Sequence, residues 1–140
     1  MSLRDGELIV APDLRLQPNT SEATFLSTSV GKSATVMVSN GPYVTYRAGS
    51  VQADSRQFTV VAGFAHGLIS SVQLHEISER GSEGWASYSL ESTAATERRN
   101  DRWLHRELGS PGPWKFDWGQ IESVMDLKGA MTFVCLTFRR

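Results

Sequence analysis

The chain has 140 residues, 40% hydrophobic and 21% charged, the proportions of one globular domain with its own core and no need of disulfide or metal staples. Its formal net charge of -1 offers no general attraction to nucleic acid or to an anionic membrane. The single cysteine, Cys135, rules out an internal disulfide, and the apolar run around it reads as a strand in which the thiol is a small buried hydrophobe.

The N-terminus, MSLRDGELIVAPDL, contains no apolar run of signal-peptide length, and no later segment is long enough to span a bilayer, so a cytoplasmic protein is expected. Between Glu7 and Leu16 the run Leu8-Ile9-Val10 is followed by Pro12 and by alternation at Leu14 and Leu16. That pattern predicts a bent or edge strand, because proline cannot donate to a ladder. Asn19, Thr20 and Ser21 form a capping cluster ahead of a short helical turn from Glu22 to Ser27, with Phe25 and Leu26 facing inward.

Ser33 to Ser39 and Tyr43 to Arg47 read as strands around Asn40-Gly41-Pro42, where the proline is expected to loosen the turn beyond two residues. Gly49 to Arg56 is polar and irregular, which predicts a loop. Gln57 to Gly63 and Leu68 to Ile77 form the clearest hairpin: Phe58, Val60, Ala62 and Phe64 share one face, as do Leu68, Ser70, Val72 and Leu74, with Ala65-His66-Gly67 turning between them. Ser78 to Gly84 has the composition of a solvated loop.

Ser89 to Gly109 is the one long helix. Ser89 can cap it, Glu91 suits the positive end of its dipole, Gly109 can take the left-handed position that ends it, and Pro111 blocks continuation. Ser110 to Gly119 is expected to be a loop. Gln120 to Met125 and Ala130 to Arg139 close the chain as strands joined through Asp126-Leu127-Lys128-Gly129. The last of these is apolar on both faces, Met131, Phe133 and Cys135 against Val134, Leu136 and Phe138, as befits a central strand covered on both sides. The expected architecture is a single α+β domain over residues 1–140, with an antiparallel sheet of about six or seven strands packed on one long helix (about 89–108) and one short N-terminal helix.

No motif carries recognisable chemistry. Gly31-Lys32-Ser33 lacks the glycine that a phosphate loop needs five positions earlier, where Leu26 stands, so these are turn residues. His66, His75 and His105 have no metal-binding spacing, and His75-Glu76 reads as a solvent-facing strand end. Neither catalytic residue, metal nor cofactor is expected. On the helix, Leu90, Ala94, Glu97, Asp101, Leu104 and Leu108 fall on one side, so two carboxylates interrupt the apolar stripe. With Arg98 and His105 beside them, Glu97 and Asp101 are either structural ion pairs that pin the helix or the lining of a polar pocket for a small molecule. Trp103 points to a second side. Either the loop bearing Trp114, Phe116 and Trp118 covers it or another protein does, since aromatics and arginine are the usual anchors of interfaces. Arg98, Arg99, Arg102 and Arg106 are offset by Glu97, Asp101 and Glu107, which describes a solvated face and not a phosphate track.

The capped helix with Glu97-Arg98 and Trp103-Leu104, then Phe116-Asp117-Trp118-Gly119-Gln120-Ile121, then Asp126-Leu127-Lys128-Gly129 before a closing strand, resembles small bacterial cytosolic proteins that have no assigned activity. The resemblance covers the C-terminal half well and the N-terminal half loosely. It implies a bacterial, cytosolic origin and brings no catalytic residue across. The expectation is a non-catalytic protein-binding domain, immunity-like or self-associating, with Trp103, Trp114 and Trp118 as its contact residues. The alternative is a small-molecule binder or enzyme at Glu97, Asp101, Arg98 and His105. Neither nucleic acid nor membrane is an expected partner.

Overall fold

Alternating apolar and polar side chains build a sheet with two unlike faces, and the other described elements gather on one of them. The structure, a computed structural model, describes residues 3–77, 90–126 and 131–139. A short 3-10 turn at Leu3–Asp5 leads into a hairpin of β1 (Leu8–Ala11) and β2 (Leu14–Leu16), followed by α1 (Glu22–Ser27) and α2 (Ser29–Ser33). Four long strands come next: β3 (Thr35–Asn40), β4 (Tyr43–Ala53), β5 (Arg56–Ala65) and β6 (Leu68–Glu76). After them stand α3 (Leu90–Leu108), β7 (Trp114–Phe116), β8 (Gly119–Asp126) and β9 (Met131–Phe138).

The seven long-sheet strands run in the order β3-β4-β5-β6-β9-β8-β7, every pair antiparallel. The fold is therefore α+β, with a second, two-stranded sheet made by β1 and β2. β9 lies inside the sheet between β6 and β8, the position its two apolar faces predict. On the covered face Phe58, Val60, Val72, Leu74, Val134 and Leu136 meet Trp103, Leu104 and Leu108 of α3, together with Leu8, Leu16 and Phe25. These apolar side chains leave water for one shared cluster, which unites hairpin, helices and sheet in a single domain.

Several boundaries differ from the expectation. Glu7 to Leu16 is not one bent strand but two, since Leu8 pairs with Leu16 across the turn that Pro12 helps to make. Asn40 pairs with Tyr43, so the turn between β3 and β4 has only two residues. Gly41 has φ 60, which suits the first central position of a type II′ turn, and proline's fixed φ fits the second. The stretch Gly49 to Arg56 is not a loop: β4 continues to Ala53, and Asp54 and Ser55 turn it with φ values of 55 and 57. Within Ser110 to Gly119, Trp114–Phe116 forms the edge strand β7.

Gly31-Lys32-Ser33 belongs to α2 and packs tightly. A Cβ on Gly31 would stand 1.9 Å from the Phe25 carbonyl oxygen, so glycine is there to let the two short helices meet. Ser21 caps α1 by accepting from the Thr24 amide, and Thr28 caps α2 by accepting from the Gly31 amide. The solvated loop at Ser78 to Gly84, the cap at Ser89, Trp85, Tyr88 and the turn at Leu127 to Gly129 lie outside the described residues. Among the described residues no helix is long and apolar enough to cross a membrane.

Candidate interaction surface

The cross-strand register defines what the second face of the sheet presents. Thr59, His75, Phe133 and Val124 form one row, and Arg47, Val61, Gln73, Cys135 and Glu122 form the next. None of these side chains belongs to the buried cluster on the other face, although Val61 is itself buried on this one. His75 stacks on Phe133 with ring centroids 4.8 Å apart, and its Nε2 lies 2.9 Å from Oε1 of Gln73. Burial first, and then the neighbouring Arg47 charge, hold the His75 pKa below its ordinary value. Burial likewise raises the Cys135 thiol, whose sulfur lies 3.7 Å from the Thr137 hydroxyl. The thiol is half-buried on this second face and is not a core side chain. Beside Phe133, Met131 is 41% exposed.

The two edges of the sheet are unlike. β7 is three residues long, follows Pro113 and carries Lys115 at its centre, three devices that discourage pairing with another chain. β3 has none of them. All six of its residues are exposed, with Val36 at 51%, Met37 at 49% and Val38 at 60%. Tyr43 on the adjoining strand is 56% exposed.

The arginine that anchors α3 comes from the end of β5. Arg56 donates from both terminal nitrogens to Oδ1 of the buried Asn100, at 3.0 and 2.9 Å. The same guanidinium reaches Glu76 at 3.2 Å and sits over the Phe58 ring at 4.7 Å. Its Nε faces the Asp54 carboxylate at 3.4 Å, a charge contact and not a hydrogen bond. Arg99 donates to the other oxygen of Glu76 at 2.7 Å, and Arg106 pairs with Asp54. Glu76 is thus a partly buried member of an ion-pair network, not a solvent-facing strand end as expected.

This network also sets the helix register. Among the described residues, the buried positions of α3 are Thr93, Asn100, Trp103, Leu104 and Leu108, so the inward stripe is rotated from the one predicted through Glu97 and Asp101. Trp103 moves in because its ring stacks on Phe58 at 5.4 Å, and a buried aromatic outweighs an alanine in apolar area. Asn100 moves in with it and is satisfied by Arg56.

The predicted polar group does not converge. Glu97 is half-buried, while Arg98, Asp101 and His105 are exposed. Asp101 borders a cavity of about 210 Å³ with Trp114, Ile121 and Ser123, and partial burial raises its carboxyl pKa. His105 lies on a separate, wide basin with Arg102, Arg106 and Gly109. Of the three predicted contact tryptophans, Trp103 and Trp114 are placed inward and Trp118 is half-buried. Trp103 is buried against Phe58, and Trp114 is buried and donates from Nε1 to the Ser110 carbonyl at 2.9 Å. Trp118 donates to the Arg4 carbonyl at 2.8 Å and stacks on Phe116 at 5.4 Å. Among the described residues no group of three histidine, cysteine or acidic side chains could hold a metal ion.

The sequence signal for the second face was the doubly apolar β9. Its meaning was missed because a central strand is ordinarily covered by its own chain on both sides. No family model matches this sequence, and no curated protein is significantly similar to it. Among solved structures, a chain from Rhs1-CT in complex with cognate immunity protein RhsI1 is similar, with a TM-score of 0.62 and 14% identity, over 99% of this chain and 86% of that one. The likeness is one of fold.

Proposed function

We propose that this chain is a non-catalytic, protein-binding domain of the immunity kind, which acts by covering a partner protein with the second face of its seven-stranded sheet. The observation that carries the reading is β9: it is apolar on both faces, yet only one of them joins the buried cluster among the described residues. Phe133 and Met131 supply the apolar centre of the contact, His75 and Gln73 its polar middle, and Arg47 and Glu122 a charged margin. That is the composition of an interface with an apolar core and a polar rim. The fold likeness to a chain from a complex containing an immunity protein supports the same reading. A bacterial, cytoplasmic setting belongs to the proposal.

The small-molecule alternative finds less support. The cavity beside Asp101 is about 210 Å³, below the roughly 300–1,000 Å³ that ligand sites span, and Glu97, Arg98 and His105 do not line it. Affinity capture from the source organism's lysate, followed by native mass spectrometry, tests the proposal. A stoichiometric protein companion that disappears with Met131→Glu is the expected result. Retention of that companion by the variant removes the face from consideration.

A further inference from the structure

We propose that β3 is a self-pairing edge, through which two copies of this chain join antiparallel about a two-fold axis and extend the sheet. Edge strands of stable proteins are ordinarily blunted by charge, proline, shortness or a bulge, and β7 at the far edge shows the first three. β3, with the sequence TVMVSN, carries only a bulge at Met37, and it exposes about half or more of each of Val36, Met37 and Val38. It carries no charge either, so two copies laid side by side oppose no like charges.

The register favours a second copy over an unrelated strand. Val36 pairs with Tyr46 and Ser39 with Val44, which sets both on the covered face of the sheet. Thr35 pairs with Arg47 and Asn40 with Tyr43, which sets both on the opposite face. When Thr35 of one copy meets Asn40 of the other, Val36 meets Ser39 and Met37 meets Val38. Every unbulged pair then joins like face to like face along the whole strand. A slip by one residue would set the covered face of one copy against the outer face of the other. The bulge at Met37 is what makes this possible, since an unbroken six-residue alternation would put residues 36 and 39 on opposite faces. Two-fold pairing of this kind closes on itself and leaves no new edge.

One six-residue pairing buries less than the roughly 1,200–2,000 Å² of a stable interface, so the dimer is concentration-dependent. Sedimentation velocity over a concentration series tests it with three proteins: the intact chain, Val38→Lys and Met131→Glu. The intact chain is expected to move from its 15.5 kDa monomer mass towards twice that value as concentration rises. Val38→Lys, which sets a lysine on each side of the axis, is expected to stay monomeric. Met131→Glu, four strands away, is expected to dimerise like the intact chain, which separates this inference from the partner-binding face. A chain that stays monomeric throughout, a dimer that survives Val38→Lys, or a dimer that Met131→Glu also dissolves overturns the proposal.

Discussion

Arg56 places both of its terminal nitrogens on the side-chain carbonyl of Asn100, and so fastens the long helix to the end of the sheet. The contact joins a buried amide to a guanidinium that is already paired with Glu76 and stacked on Phe58. Loss of either partner leaves a polar group without its match in a dry setting. Arg56→Met is expected to cost about 3 kcal/mol in urea unfolding, and Asn100→Ala about 2 kcal/mol. The double variant should cost less than their sum, because the two changes remove one shared interaction. Strict additivity would show that the pair does not couple helix to sheet.

Tyr46 donates to the Glu22 carboxylate at 2.6 Å, which ties β4 to α1. That hydrogen bond, then burial and the carboxylate's charge, push the phenol up to about 12. The folded state therefore keeps this proton where the unfolded chain has lost it, and stability falls as pH rises from about 10 towards about 12. An ultraviolet titration should find one tyrosine ionising late, and Glu22→Gln should bring it earlier. An unchanged titration in Glu22→Gln would contradict the contact.

His75 works in the opposite direction. Its folded pKa lies below the ordinary 6.5, so the unfolded chain binds the proton first as pH falls. Its contribution to stability is complete above 6.5 and is lost as pH drops from there through the lower folded value. Urea midpoints measured from neutral to mildly acidic pH should decline more steeply for the intact chain than for His75→Gln. Equal slopes would mean that the ring is as well solvated folded as unfolded.

Gly31 separates a packing role from a phosphate-binding one. Gly31→Ala drives a Cβ into the Phe25 carbonyl and is expected to cost about 3 kcal/mol or more. Lys32→Ala, at an exposed position, should change thermal stability little. A stable Gly31→Ala protein would contradict the close approach of α1 and α2.

Much of this fold was legible because periodicity and turn chemistry agreed. Phe58, Val60, Ala62 and Phe64 alternate cleanly, and Leu104 and Leu108 sit one turn apart before Gly109. The extension of β4 to Ala53 was hidden because Asp54-Ser55 occupies a left-handed turn that asparagine and glycine ordinarily signal. The site was less legible. The helix pattern admitted two stripes one residue apart, and only the Trp103 stack on Phe58 and the Arg56–Asn100 contact choose between them. Both rest on long-range partners that no local window contains. The same limit applies to Phe133 and Met131, whose apolar character was visible while the composition of the face around them depended on strand order.

Phe133 and Met131 form the apolar centre of the surface proposed for a partner protein. The most direct measurement is native mass spectrometry of the chain captured from its own organism, beside a Met131→Glu, Val124→Lys variant matched in circular dichroism. A stoichiometric protein companion with the intact chain and none with the variant is the predicted result. A companion held equally by both, or an intact chain that emerges alone from every growth condition, would contradict it.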